Sequence, residues 1–200
     1  MSCVVGIADR GTVHIVGDSG CFDTEGGNAA EVRRDPKVFA RNGTMIFGCV
    51  GSYRMLQLVR FSLVIPRRKR GTDVFEFMAT SFIENVRKCF DVGGFSSRDK
   101  EEGNEKGGCF LVGYQGRLFR VYDDFHVAET ASGFDAIGVP EPALGALVAQ
   151  EIMMANARRN KHELRYDARD RAFDALRAAE MTTNVVRKPF VCVTLPRKQS

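Results

Sequence analysis

The sequence predicts an α+β protein in which two stacked antiparallel β-sheets are covered by helices on both faces. The order of its elements is the first observation, because strands, two helices, further strands, two more helices and a closing strand suit a layered sandwich. The second is the length of 200 residues, which is enough to bury a substantial core. The third is continuity: no repeat or linker interrupts the pattern. We therefore expect residues 1–200 to form a single domain.

The first element is a predicted β-hairpin. Residues 1–8 and 12–19 are short apolar runs rich in β-branched side chains, and the polar break Asp9-Arg10-Gly11 separates them. His14 alternates with apolar neighbours in the second run, so we expect its side chain to face outward. Gly-Asp-Ser closes the hairpin at residues 17–19.

Strands, a Gly-rich bend and two helices follow. Residues 21–30 are Gly-rich and polar and predict a loop, after which two apolar runs predict paired strands that end in the bend Gly48-Cys49-Val50-Gly51-Ser52. Apolar residues at helical spacing then predict helices over 52–64 and 72–90. Gly, Ser and charged residues fill 91–107, which we expect to be a loop.

The second half repeats the same pattern of short strands followed by helices. Tight turns separate the apolar runs, and longer amphipathic segments come after them. The predicted strands are 108–113, 116–121, 126–129, 134–138 and 190–195, and the predicted helices are 143–157 and 167–181.

Composition excludes several classes of function. The net charge of +4 is mild, no apolar run approaches the length of about 20 residues that a membrane helix requires, and no charged and apolar leader precedes the first strand. The six cysteines include no CxxC pair, and no histidine stands at metal-ligand spacing. No phosphate loop, dinucleotide fingerprint or Ser-His-Asp arrangement is present. We expect a cytoplasmic protein without a metal or cofactor.

Ser2 is the residue with the most distinctive potential chemistry. If Met1 is removed, as is common when the second residue is small, Ser2 carries a hydroxyl and a free α-amine. An α-amine has a pKa of about 8, so near neutral pH a fraction of it is an unprotonated base beside a hydroxyl nucleophile. One residue could then supply both the nucleophile and the base.

The start of the chain resembles that of mature proteasome β-subunits and of the bacterial HslV peptidase. The matching residues are Ser2, where the family has Thr, then Asp18 in Gly-Asp-Ser, Lys37 in Lys-Val-Phe, and the Gly-x-x-Gly bend that begins at Gly48. The resemblance implies the four-layer αββα sandwich and a threonine-protease-type endopeptidase. Asp18 and Lys37 would lower the proton affinity of the Ser2 amine, and the Gly48 N–H would stabilise the oxyanion. Taken singly, each also has an ordinary interpretation, as a turn residue, a solvated strand start or a bulge.

The second half of the chain departs from the family pattern. A Ser that follows Ala-Ile-Gly in the family is replaced here by Val139, which cannot relay a proton. The family's Asp and Ser, three residues apart after the penultimate helix, are matched by Glu180 and Thr183, although an alignment shifted by one would choose Met181 and Asn184. Cys3 would become the nucleophile only if Ser2 were removed as well, and packing is its expected role.

The resemblance also bears on assembly and on alternatives. It implies a homo-oligomeric ring that encloses the active sites, protein or peptide substrates, and an ATP-dependent unfoldase as a candidate partner.

Two other functions stay open at this point. The chain could be a catalytically silent structural or regulatory ring subunit, or an N-terminal-nucleophile amidohydrolase that acts on a small-molecule amide.

Overall fold

The computed structural model describes residues 2–22, 30–95, 97–98, 105–106, 108–162 and 166–197. Most of the strands are short and antiparallel. They are β1 (Cys3–Asp9), β2 (Thr12–Gly17), β3 (Gly20–Phe22), β4 (Ala30–Val32), β5 (Val38–Arg41), β6 (Met45–Cys49), β7 (Ser97–Arg98), β8 (Glu105–Lys106), β9 (Phe110–Tyr114), β10 (Arg117–Val121), β11 (Val127–Glu129), β12 (Phe134–Gly138) and β13 (Val191–Pro196). The helices are α1 (Tyr53–Gln57), α2 (Val74–Phe77), α3 (Ile83–Val92), α4 (Glu141–Arg159) and α5 (Ala168–Thr182), with π-helical turns at Leu58–Ser62 and Met78–Phe82.

Two antiparallel sheets form the centre of the fold. The first has four strands in the order β12-β1-β2-β13, and the second has five in the order β11-β10-β9-β6-β5. The predicted hairpin is the β1–β2 pair, whose register joins Val4 to Gly17 and Asp9 to Thr12. Since β1 lies between β12 and β2, the N-terminal strand is hydrogen-bonded on both edges.

Three apolar layers hold these sheets and the helices together. Between the sheets, buried aliphatic side chains such as Val4, Ile15, Ile46 and Leu111 interdigitate. Phenylalanines and aliphatic residues of the five-stranded sheet pack under α1, α2 and α3, while small residues of α4 and α5 lie close against the four-stranded sheet. The predicted αββα sandwich is thus confirmed, with helices on both outer faces.

The predicted helix over 72–90 runs from Val74 to Val92 and includes the π-helical turn in its middle. The predicted loop at 21–30 ends in the β3–β4 pair, and its residues 23–29 lie outside the described residues. Within the predicted loop at 91–107, α3 extends to Val92 and strands β7 and β8 pair, whereas residues 96, 99–104 and 107 lie outside the described part.

The prediction for His14 was wrong. Its side chain is buried, with 9% of its surface exposed, and its Nδ1 lies 3.0 Å from the Thr194 hydroxyl of β13. The reason is the position of β2 in the interior of its sheet, where α5 covers the face that the alternation assigned to solvent. Burial holds the pKa of His14 below its usual value, against the charge of Asp167 at the start of α5.

Candidate active site

Asp18 stands where β2 ends, and its carboxylate is buried. One oxygen, Oδ1, accepts hydrogen bonds from the backbone N–H of Cys3 at 3.1 Å and from Lys37 Nζ at 2.7 Å. The other, Oδ2, accepts from the N–H groups of Gly20 at 2.9 Å and Arg187 at 3.3 Å. Because a carboxylate offers about four acceptor sites, this set satisfies the buried charge.

Lys37 lies just before β5, with only 4% of its surface exposed. Its ammonium group donates to Asp18 and also to the carbonyl oxygen of Gly20. An ammonium group has three donors, so these two bonds leave one for another group. Burial lowers the pKa of Lys37 from its usual value, and the charge of Asp18 opposes that shift.

Ser2 is fixed from both sides immediately before β1. Its carbonyl oxygen accepts a hydrogen bond of 2.9 Å from the N–H of Val139, and the N–H of the next residue, Cys3, bonds to Asp18. Ser2 and Lys37 line the same small cleft, which has room for about one water molecule. The remaining wall consists of Cys49, Val50, Gly51, Ser52, Tyr53 and Leu56.

Cys3 is a packing residue in this structure. Its side chain has no exposed surface and lies in the apolar layer between the four-stranded sheet and α4 and α5. Burial first, and then the neighbouring charge of Asp18, raises the pKa of the Cys3 thiol to about 12. Since the thiolate is the reactive form of cysteine, a thiol with this pKa is a poor nucleophile at neutral pH.

Gly48 occupies β6 next to the cleft, where it pairs with Val38 on one side and with Leu111 on the other. A Cβ at this position would lie 2.5 Å from Val4 Cγ1 and 2.6 Å from Ile15 Cγ2 of the opposite sheet. Close approach of the two sheets therefore requires a glycine here. The N–H of Cys49 is bonded to the Lys37 carbonyl. The oxyanion role of Gly48 stays a prediction.

Several solved structures resemble this chain over nearly its whole length. Thiobacillus denitrificans BPH in complex with epoxomicin has a TM-score of 0.71 at 16% identity, covering 98% of this chain and 100% of that chain. HslV from Trypanosoma brucei has a TM-score of 0.62 at 17% identity, with 97% and 99% covered. Anbu, an ancestral β-subunit, from Yersinia bercovieri has a TM-score of 0.64 at 16% identity, with 97% and 81% covered.

The chain has a proteasome-like fold. No protein-family model matches the sequence, and no curated protein matches it. The likeness therefore concerns the fold, whereas the chemistry depends on the residues around the cleft.

Val139, which lies beside Ser2 in this proteasome-like fold, has an apolar side chain. Val139 follows β12 and contacts the Ser2 carbonyl through its backbone N–H, while its side chain packs in the apolar layer under α4 and α5. Gly138 brings the two segments together, because a Cβ there would lie 2.0 Å from the Ser2 carbonyl oxygen. The valine thus holds Ser2 in place without offering a group that carries a proton.

Glu180 and Thr183 are not in contact with the buried ion pair. Glu180 lies near the end of α5 and forms an ion pair of 3.0 Å with Lys188. Thr183 ends that helix, and its hydroxyl accepts a bond from the Val185 N–H. Among the described residues neither side chain hydrogen-bonds to Ser2, Asp18 or Lys37. Instead, the backbone of Arg187, in the loop after α5, bonds to Asp18 and Ser19: its N–H donates to the Asp18 carboxylate, and its carbonyl oxygen accepts from the Ser19 N–H.

Tyr53 is a wall residue that the sequence analysis did not identify. It begins α1 directly after the helix cap Ser52, whose hydroxyl accepts a bond from the Met55 N–H. The guanidinium of Arg33 lies 4.8 Å from the centre of the Tyr53 ring, and burial raises the pKa of the phenol. The position of an aromatic residue directly after the Gly-x-x-Gly bend is the one sequence signal that could have indicated it.

Proposed function

We propose that the protein is an N-terminal-nucleophile endopeptidase of the proteasome and HslV type, with Ser2 as its nucleophile after Met1 is removed. The observation that carries the proposal is the buried Asp18–Lys37 pair, whose lysine lines the cleft together with Ser2. A buried ion pair contributes little net stability compared with apolar packing, so its presence next to a hydroxyl favours a chemical role.

In this mechanism the Ser2 hydroxyl attacks the carbonyl carbon of a peptide bond. The α-amine of the same residue accepts the hydroxyl proton and delivers it to the departing amine, which leaves an acyl ester on Ser2. A water molecule, activated by the same amine, hydrolyses the ester and restores the hydroxyl. Backbone N–H groups, with Gly48 as the candidate donor, stabilise the negative charge on the carbonyl oxygen.

Lys37 and Asp18 adjust the amine in this scheme. The positive charge of Lys37 disfavours protonation of the nearby α-amine, which keeps the amine a working base at neutral pH. Asp18 holds Lys37 in place and also receives the Cys3 N–H, so the carboxylate positions the charge and the backbone of the nucleophile together.

A catalytically silent subunit is the second candidate. Val139 supports it, because its side chain cannot relay a proton beside Ser2, and so does the pairing of Glu180 with Lys188. Under this alternative the Asp18–Lys37 pair would serve only the packing of the loops around β1. The two candidates differ in one outcome, the reactivity of Ser2.

We further propose that the subunits assemble into a homo-oligomeric ring that encloses the clefts and takes unfolded proteins or peptides as substrate. The support is the likeness to HslV and to Anbu, which forms a helical assembly in Pseudomonas aeruginosa. An ATP-dependent unfoldase is the partner that such an assembly would need for folded substrates. Among the described residues no helix is long and apolar enough to cross a membrane.

The test of the peptidase is a comparison of Ser2→Ala and Ser2→Thr in a peptide-cleavage assay. Ser2→Ala removes the nucleophile while leaving the amine, so we expect turnover to fall to background with the native mass of the assembly unchanged. Ser2→Thr keeps the hydroxyl and should retain cleavage.

Ser81→Ala is a matched control, because Ser81 is an exposed hydroxyl residue in the π-helical turn after α2. It should cleave as the parent does. Undiminished turnover in Ser2→Ala would refute the proposed nucleophile, and a parent protein that cleaves no peptide would favour the silent subunit.

A further inference from the structure

A second and larger pocket adjoins the Ser2 cleft. It has a volume of about 500 Å³, and it shares the wall residues Val50, Gly51 and Ser52 with the cleft. Its far side is formed by β10 and the residues around it, including Arg120, Tyr122 and Asp123. An extended chain bound across the bend at 50–52 would therefore pass the Ser2 cleft and enter the larger pocket.

Arg120 is the basic residue of this pocket, and its guanidinium has unused donors. Its Nε is buried and has no hydrogen-bond partner. The shortest distance to a carboxylate, from Nη1 to Asp135 Oδ1, is 3.5 Å, which is longer than a strong ion-pair contact. The guanidinium stacks on the Tyr122 ring at 4.6 Å, which fixes its plane without using its N–H groups.

The unpartnered Nε of Arg120 is unfavourable in the folded protein. A buried donor without a partner loses its hydrogen bond to water and gains none in return. By contrast, Arg117 on the same strand is bonded to Glu129 through Nε at 2.7 Å. Arg120 is therefore less completely paired than Arg117. Its side chain is 27% exposed, so the guanidinium N–H groups that Asp135 and Cys109 do not occupy are available to an acceptor in the pocket.

Two carboxylates limit what the pocket can accept. Asp135 lies 3.5 Å from Nη1 of the guanidinium and partly neutralises it, and burial raises the pKa of this carboxyl. Asp123 is an exposed residue of the pocket wall, so its charge is screened by solvent. The guanidinium of Arg120 is fixed and partly buried. It therefore attracts an acidic group that enters the pocket more strongly than the solvent-exposed Asp123 repels it.

We propose that this pocket is a specificity subsite for an acidic side chain of the peptide substrate, and that Arg120 is the residue that recognises it. The proposal rests on the proposed peptidase function. A glutamate or aspartate carboxylate would accept hydrogen bonds from the Nη donors of Arg120 that Asp135 and Cys109 do not occupy, while its main chain crosses the bend at 50–52. A charge-assisted pair of this kind favours the acidic substrate over its amide by about tenfold to a hundredfold in kcat/KM.

The experiment has two steps. First, products of a denatured protein digested by the parent enzyme are mapped by mass spectrometry, and the position around the cleaved bond that is enriched in Glu or Asp is identified. Second, kcat/KM is measured for a pair of peptides that carry Glu or Gln at that position. We expect the parent to prefer Glu by at least about tenfold, Arg120→Gln to lose the preference, and Arg120→Lys to keep part of it.

Arg117→Gln is the control, because it removes a charge from the same strand outside the pocket and should preserve the preference. Asp123→Asn removes the opposing charge in the pocket wall and should strengthen it, which gives a test that does not depend on the folding of Arg120→Gln. No acidic enrichment in the parent, or a Glu preference that survives Arg120→Gln, would overturn the proposal.

The covalent reaction of Ser2 with epoxomicin separates this outcome from the failure of the proposed function. A parent enzyme that forms the adduct but cleaves Glu and Gln peptides equally contradicts only the acidic subsite. A parent enzyme that forms no adduct and cleaves nothing contradicts both. Adduct formation by Arg120→Gln also reports that this variant has a folded cleft.

Discussion

At the scale of single residues, the proposed chemistry depends on a buried charge that is hydrogen-bonded. Lys37 and Asp18 are both buried, and each is held by more than one hydrogen bond. The sequence alone could indicate these two residues, because Gly-Asp-Ser and Lys-Val-Phe are local motifs. It could not indicate that the Arg187 N–H also reaches Asp18, since that contact joins residues 169 positions apart.

Replacing Lys37 with methionine should slow peptide cleavage at neutral pH. Without the ammonium charge the pKa of the Ser2 α-amine rises, so a larger fraction of the amine is protonated and inactive. The acidic limb of the kcat/KM profile therefore moves to higher pH, with about a tenfold loss at pH 7 for each unit of pKa rise. A pH–rate profile of the variant is the measurement, and a profile identical to that of the parent would contradict the assigned role.

Lys37→Met also leaves the Asp18 charge buried without its partner, which costs about 3–5 kcal/mol of unfolding free energy. The double variant Lys37→Met/Asp18→Asn is the control, because it removes both charges. It should recover part of this stability in a urea titration but not activity. Recovery is partial because the amide replaces one of two oxygens that both accept backbone N–H bonds. Recovery of both would show that the pair acts through the fold and not through the amine.

At the scale of elements, the close packing of the two sheets decides where the cleft lies. The spacing of apolar residues predicted the hairpin, the paired strands and the helices to within a few residues, since these elements follow from local sequence patterns. It failed at His14, because burial of that residue depends on a helix more than 150 residues later in the chain. The family pattern at Glu180 and Thr183 likewise did not predict the contacts of these residues, which pair within their own segment.

Gly48→Ala should destabilise the protein by about 1–3 kcal/mol, because the added methyl group would overlap Val4 and Ile15 of the opposite sheet. Urea titration of Gly48→Ala, Val4→Ala and the double variant gives the coupling between the two positions. We expect the double variant to be more stable than the sum of the single effects predicts, since Val4→Ala makes room for the methyl group. Strict additivity would contradict the packing role of Gly48.

At the scale of the whole molecule, the outer helical layer over the four-stranded sheet carries exposed apolar side chains. On α4, Val148, Ile152 and Met153 are 48%, 58% and 43% exposed, and the last turn of α5 adds Met181 at 87%. Side chains at i and i+4 lie on the same helix face, so Val148 and Ile152 are neighbours. An apolar stripe on an outer helix suits a contact between subunits.

If the proposed ring uses this face, Ile152→Glu should dissociate it into smaller species, because the charge would be buried without a partner at the contact. Native mass spectrometry or light scattering of the parent and the variant is the measurement. Ser132→Glu, an exposed change in the turn before β12, is the control and should leave the assembly intact. An unchanged native mass for Ile152→Glu would show that this face is not an interface.

Intact-mass spectrometry before and after incubation with epoxomicin would show whether Ser2 is an N-terminal nucleophile. A peptide epoxyketone forms a ring with a hydroxyl and its neighbouring α-amine, so the adduct requires both groups on one residue. We expect a protein that lacks Met1 and gains the full mass of one inhibitor per chain, with no gain in Ser2→Ala. A retained Met1, or a free Ser2 that never reacts, would contradict that role.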